Sequence, residues 1–288
     1  MKKPRRRLRE LAERLRTFAD PRAAPAQARR LRVGLALGGG FARGVAHVGV
    51  LRVLQDHGVP IHCLAGTSAG AVVAAAYAGG APLSLMERVA ASTHLHDLAE
   101  WTLSLSGLAS DRRLEHYLRR MTPVERFDQL HIPLVVVASD LLRGEPVYFT
   151  QGELSIALRA SCAYPGLFRP VEWDGRPLVD GFLTEPVPVR AVRSLGADYV
   201  IAVYLGSLNP DRPPVHALDI INRSFSILLR QAEGTWRPLA NRVIEPAVYH
   251  FDWDDFERTP ELIAAGTEAA RRMLPAILDD LRQAGFAI

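Results

Sequence analysis

One stretch limits this chain more than any other: Leu64-Ala65-Gly66-Thr67-Ser68-Ala69-Gly70-Ala71-Val72-Val73, in which an apolar run gives way to small residues around a single serine. Gly66 and Gly70 stand two positions to either side of Ser68, the spacing at which a strand turns sharply into a helix with the serine at its apex. A side chain at either glycine would collide where strand and helix cross. Such a turn strains the serine backbone and lifts its hydroxyl above the sheet. It also points the partial positive charge of a helix N-terminus at any anion formed there. Ile61-His62-Cys63-Leu64-Ala65 reads as the buried strand leading in, and Ala69 to Ala78 as a helix with almost no side-chain bulk. The same pattern alone also describes a glycine-rich turn with a merely exposed serine, so its meaning rests on its surroundings.

Upstream, Val33-Gly34-Leu35-Ala36-Leu37 is a continuous apolar run suited to the interior of a parallel sheet. It leads into Gly38-Gly39-Gly40-Phe41-Ala42-Arg43-Gly44 and then a helix from Val45 to His57, closed by Gly58. Glycines before a helix let several backbone N–H groups converge on one anion. A dinucleotide pyrophosphate would require G-x-G-x-x-G, but Arg43 stands at the third glycine position. A developing oxyanion fits better, because the next strand ends in the serine turn. The two loops then lie side by side at the carboxyl ends of neighbouring parallel strands.

Downstream, Pro82 to Thr93 and Asp111 to Met121 read as helices, the second capped by Ser110 or Asp111. Ile132 to Ala138 and Pro146 to Phe149 read as strands, and Leu154 to Ser161 as a helix. Pro177-Leu178-Val179-Asp180-Gly181-Phe182 puts a carboxylate at the end of a short apolar strand. Asp-Gly is also a common turn former. A strand over Ala197 to Tyr204 follows, then amphipathic helices over 217–233 and 259–284 with a strand near Arg242 to Ile244 between them. Strands alternating with helices over 33–205 predict an α/β layered fold with a mainly parallel sheet.

A serine hydroxyl needs a base to take its proton. His47, His57 and His62 all precede Ser68, and the late His216 and His250 are not in glycine-bounded loops at strand ends. His47 reads as a packed core histidine. Asp180 is the better candidate base, which makes a Ser-Asp dyad whose carboxylate is tuned by partial desolvation.

Charge is unevenly spread. Residues 1–32 carry twelve Lys or Arg against three Asp or Glu, so the formal charge of +4 conceals a mildly acidic body. Leu8, Leu11, Leu15 and Phe18 fall at helical spacing among six arginines, a basic amphipathic arm suited either to an anionic membrane surface or to packing on the domain. Residues 20–30, rich in Pro and Ala, read as a linker. No aromatic interleaving or binding module points to nucleic acid. The basic start lacks the apolar run of a signal peptide. Cys63 to Met86 is free of charge for 24 residues, yet its Ala and Gly, Gly79-Gly80 and Pro82 fit a buried strand and helix better than a membrane span. Cys63 and Cys162, set in apolar or small-residue surroundings, read as buried, reduced thiols of a reducing compartment.

The ordered motifs Gly38–Gly44 with Ala46-His47-Val48-Gly49-Val50-Leu51, Gly66–Gly70, Ala160-Ser161-Cys162-Ala163-Tyr164-Pro165-Gly166-Leu167-Phe168-Arg169-Pro170 and Val179-Asp180-Gly181 resemble the patatin-like phospholipase family in its bacterial form. The resemblance runs over about 32–206. It implies a three-layer α/β sandwich and a serine lipid acyl hydrolase that cleaves carboxylic esters without metal or other cofactor. Ser68 would be its nucleophile and Asp180 its base. Gly38, Gly39, Gly40, Phe41, Arg43 and Gly44 would form its oxyanion loop. The division expected is a basic arm and linker over 1–31, a catalytic domain over 32–206 and a helical extension over 207–288 packed on it. The partners expected are a lipid or acyl ester and, through residues 1–19, an anionic membrane, with no nucleic acid. The location expected is cytoplasmic, at most peripheral at the inner membrane face. Two positions depart from the family pattern: Phe182 follows Asp180-Gly181 where a small residue is usual, and Glu185 stands where Asn is usual. A Phe182 that crowds the pocket would leave a catalytically weak, membrane-binding or regulatory protein of the same fold.

Overall fold

The computed structural model describes residues 31–98, 100–104, 107–110, 112–206, 213–215, 217–286 and 288. The basic arm and nearly all of its linker lie outside the described residues, as does Asp111, one of the two expected helix caps.

Strand β1 (Val33–Leu37) leads through the glycine loop into a 3-10 turn (Phe41–Val45) and helix α1 (Ala46–Asp56), so the expected single helix over 45–57 begins as a tighter turn. Strand β2 (Cys63–Thr67) starts two residues later than expected. His62 is occupied instead: its N–H donates to Val33 O, and its Nδ1 accepts from Val33 N–H at 3.0 Å. Helix α2 (Ala69–Ala78) follows Ser68 directly, then α3 (Leu83–Ala91) and the short α4 (Leu95–Leu98). Strands β3 (Glu100–Ser104) and β4 (Gly107–Ser110) make a small antiparallel hairpin. No Asn-Gly or Asp-Gly marks that hairpin, and the sequence analysis names no element between Thr93 and Ser110. There follow α5 (Arg112–Met121), β5 (Leu134–Asp140), β6 (Glu145–Phe149) and α6 (Leu154–Ser161). Next come β7 (Val171–Trp173), β8 (Arg176–Asp180), α7 (Val189–Ser194) and β9 (Tyr199–Val203). The chain closes with α8 (Ala217–Trp236), β10 (Arg242–Ile244) and α9 (Thr259–Gln283).

The main sheet has the order β10-β9-β1-β2-β5-β8-β7, with β6 on the other edge of β5. β10, β9, β1, β2 and β5 are parallel, and β6, β7 and β8 run against them. Along its strands, alternate residues enter two separate cores, which makes the fold three layers. Leu35, Leu37, Leu64, Val136 and Ile201 pack with α1, α2, α6 and α9, whereas Ala36, Ala65, Val135, Val137 and Ala202 pack with α7 and Trp236. β10 adds a strand to the sheet edge, so the segment after 206 is not helical throughout. Residues 32–288 form one compact unit. Cys63 is buried and Cys162 half-buried, both as free thiols. Among the described residues, no helix is long and apolar enough to cross a membrane.

One feature of register places the site. β2 pairs with β5 from Leu64↔Leu134 to Thr67↔Val137 and then ends. β8 arrives antiparallel and takes up β5 at the next position, Ala138↔Asp180. Because β6 holds the opposite edge of β5 over Val136–Asp140, β2 and β8 share one edge. The residue after Thr67 and the last residue of β8 therefore meet over the same strand.

Candidate active site

The turn between β2 and α2 has the expected strain. Ser68 has φ 54°, a left-handed value unfavourable for a side chain with a Cβ. Its glycine neighbours show why nothing larger fits: a Cβ on Gly66 would lie 2.3 Å from Ala71 Cα, and one on Gly70 would lie 2.3 Å from Leu37 O. Ser68 N–H donates to Ser161 Oγ at 2.8 Å, which fixes the strained residue to the end of α6.

Ser68 Oγ donates to Asp180 Oδ2 at 2.7 Å. Asp180 is fully buried, its Oδ1 accepts from Phe182 N–H at 3.0 Å, and its own carbonyl accepts from Ser139 Oγ at 2.9 Å. Gly181 lets the chain turn away at once, since a Cβ there would lie 2.2 Å from Val137 O. Burial raises the Asp180 pKa to about 7, and the hydrogen bonds from Ser68 and Phe182 N–H oppose that rise. Glu185 belongs to the same support. It is buried, accepts from Tyr148 Oη, and its carbonyl accepts from Thr67 Oγ1 at 2.8 Å, tying the end of β2 to the loop after Asp180. Burial raises its pKa.

The glycine loop runs beside Ser68. A Cβ on Gly39 would stand 3.4 Å from Ser68 Cβ, and one on Gly44 would stand 2.4 Å from Ala69 Cβ. Gly38 N–H and Gly39 N–H donate to Val203 O and Pro186 O, which anchors the loop's start. Gly40 comes next, with Leu205 Cδ1 2.4 Å from where its Cβ would be, and Phe41 is held at φ 53°. Among the described residues, the N–H groups of Gly40 and Phe41, at the mouth of the 3-10 turn, and of Ala69 and Gly70, in the first turn of α2, meet no acceptor. His47, read from sequence as core, is fully buried and its Nε2–H donates to Gly38 O at 2.8 Å. Burial lowers its pKa to about 4, so the ring is neutral and props the loop. Arg43 is also buried, with Nε and Nη1 lacking any acceptor among the described residues. Burial lowers its pKa to about 10 against the opposing pull of Tyr204, Tyr164 and Asp252, so it stays charged.

These groups open on a cleft of about 780 Å³, part of it continuous with solvent. Its walls are aromatic: Phe182 stacks on Tyr164 at 5.1 Å, and Phe225 meets Phe182 edge-on at 5.1 Å. Phe182 thus forms a wall and leaves the Ser68–Asp180 hydrogen bond in place. The sequence reading missed the contribution of α8, which supplies Asn222, Phe225, Ser226 and Leu229, and of Trp253. Tyr164 Oη donates to Asn222 Oδ1 at 2.5 Å, tying α8 to the site. The amphipathic pattern of α8 marks a face for burial but not the partner it meets. It also missed the individual tie from Ser161, though Ser161 lies in a quoted motif. Among the described residues, His94, His96 and Asp97 could converge on a metal ion, and none of them lines the cleft.

A patatin-like phospholipase family model matches residues 35–193. An uncharacterized NTE family protein of Mycobacterium tuberculosis is 39% identical over 181 residues, covering 60% of this chain and 49% of that protein. Lysophospholipase nte1 of Aspergillus fumigatus is 28% identical over 215 residues, covering 73% of this chain and 14% of that protein. The crystal structure of VipD from Legionella pneumophila has a similar fold, with a TM-score of 0.52 at 13% identity, covering 86% of this chain and 67% of that one. The chain spans about half the length of its mycobacterial relative.

Proposed function

The chain belongs to the patatin-like phospholipase family, and from that premise and the geometry of the cleft we infer that it is a serine lipid acyl hydrolase. Ser68 Oγ attacks the ester carbonyl as its proton passes to Asp180 Oδ2. The carbonyl oxygen becomes an oxyanion facing the N–H groups of Gly40, Phe41 and Ala69, which meet no acceptor among the described residues, with the α2 dipole behind Ala69. Collapse breaks the C–O bond, and the alcohol leaves with the proton from Asp180. A water molecule then gives its proton to Asp180, attacks the acyl-serine and releases the acid, restoring the Ser68 hydroxyl.

The observation that carries this reading is the 2.7 Å hydrogen bond from the strained serine to a fully buried carboxylate. A carboxylate near pKa 7 is a far stronger base than an exposed one and is still ionised in part at neutral pH. The intact Ser68–Asp180 bond beside Phe182 supports this reading over a catalytically weak, regulatory protein. The name of the Aspergillus relative makes a single-chain phospholipid the first substrate to try. Wild type and Ser68→Ala, assayed together on carboxylic ester, phospholipid and acyl-thioester substrates, test it. Hydrolysis that disappears in the variant is expected, and hydrolysis that survives overturns the reading. We propose that the arm over residues 1–19 meets an anionic membrane surface, which its run of arginines around Leu8, Leu11, Leu15 and Phe18 suits. Deleting residues 1–20 should weaken binding to anionic vesicles in a salt-sensitive way.

A further inference from the structure

Away from the cleft, three side chains converge on one point of the surface. His94, His96 and Asp97 come from four consecutive residues where the chain passes from α3 into α4, and one donor atom from each lies within 4.8 Å of the other two. None of them takes part in the steps proposed for Ser68 and Asp180. Because they are so close in sequence, bringing all three onto one ion closes only a short loop.

The spacing of the donors distinguishes an ion site from a hydrogen-bonded cluster. His94 Nδ1 is 3.5 Å from Asp97 Oδ2, and His96 Nε2 is 3.4 Å from Asp97 Oδ1. An N–H···O hydrogen bond is shorter, about 2.7–3.2 Å. Around a tetrahedral zinc with ligands at 2.0–2.2 Å, neighbouring donors stand roughly 3.3–3.6 Å apart, which matches both separations. The backbone holds much of this arrangement in advance. Asp97 Oδ2 accepts His94 N–H at 2.9 Å, which fixes the carboxylate beside His94, and Arg113 Nη1 of α5 donates to His96 O at 2.6 Å. The two imidazoles stack 18° from parallel with centroids 5.2 Å apart. Both are exposed, so a hydrated ion can reach them and keep water as a further ligand. Two nitrogen donors and one carboxylate suit zinc, whereas calcium and magnesium take oxygen ligands.

We propose that His94, His96 and Asp97 form a zinc site with water in the fourth position, and that the bound ion fastens the link between α3 and the β3–β4 hairpin. Thr93, buried just before the cluster, already ties this link to α3 through Oγ1, which donates to Val89 O at 2.6 Å. The ion adds a second tie on the far side of His94, where the side chains are exposed. The site does not depend on the serine-hydrolase reading, and neither falls with the other.

The test titrates zinc chloride into the full chain, first stripped with a chelator, in a calorimeter. His94→Ala, His96→Ala and Asp97→Asn are titrated alongside, with His116→Ala, an exposed histidine of α5 outside the cluster, as control. A Kd on the order of micromolar is expected, weaker than that of sites with four protein ligands. Each ligand variant should weaken binding about tenfold or more, and His116→Ala should leave it unchanged. Asp97→Asn keeps an oxygen for His94 N–H, so its loss of binding reports the missing carboxylate and not a broken turn. Amide exchange over residues 93–98 should slow about 100-fold at free zinc 100 times Kd. No uptake at about 100 µM zinc, uptake unchanged in the His94→Ala/His96→Ala double variant, or magnesium bound as tightly as zinc overturns the site. Exchange over 93–98 that ignores bound zinc overturns the fastening role.

Discussion

Asp180→Asn should abolish hydrolysis and, at neutral pH and above, make the protein more stable. Asp180 is fully buried, and burial raises its pKa from 3.8 to about 7. The folded state thus holds a proton on this group over a range in which the unfolded chain has released it. Stability falls with rising pH wherever the native state binds more protons, so the group costs nothing near pH 4, costs progressively more up to about 7, and a constant amount above. At about 1.36 kcal/mol for each pH unit the full cost is about 4 kcal/mol, and structural relaxation around the charge brings the expected gain to about 2–4 kcal/mol. Asparagine is nearly isosteric, keeps an oxygen for Phe182 N–H and carries no charge. The assay is urea unfolding of wild type and variant at pH 4.5, 6, 7 and 8, comparing midpoints at equal slope. The variant's advantage should be small at pH 4.5 and complete by pH 8, where its thermal midpoint should exceed wild type by several degrees. An advantage that does not change with pH, or one that grows toward acid, would refute the account of a carboxylate held in a desolvating site.

The same carboxylate must be ionised to act as base, so kcat/KM should climb with pH through about 7; a rising limb near 4, in a pH–rate profile on a soluble ester, would remove Asp180 from that role. Ser161→Ala takes away the acceptor of Ser68 N–H at 2.8 Å. It should cost about 1–3 kcal/mol in denaturant unfolding and lower kcat more than it raises KM. Gly70→Ala would place a methyl group 2.3 Å from Leu37 O and 2.5 Å from Gly38 O, between the turn and the glycine loop. Destabilisation of more than about 3 kcal/mol is expected, and a folded variant with normal turnover would show that the crossing is looser than described.

The local rules of the chain were enough for much of this. Glycines at 66 and 70 admit one backbone path around Ser68, apolar runs as short as β1 and β2 need burial on both faces, and the smallness of residues 69–78 needs a close neighbour. Those are constraints between residues a few positions apart, and they carry the strand, turn and helix and the glycine loop; the candidacy of Asp180 needed the comparison of every histidine in the chain and the family resemblance. Local patterning could not say that β8 would take up β5 at Ala138 just where β2 leaves it at Val137, the pairing that brings a carboxylate to a serine 112 positions away. Nor could it say that α8 would wall the cleft or that His47 would hold Gly38. Hydrophobic periodicity tells each element which face to bury but not against what. That choice is made only when all the faces are packed together, so the candidate groups can be named from the sequence while their alignment comes from the tertiary fold.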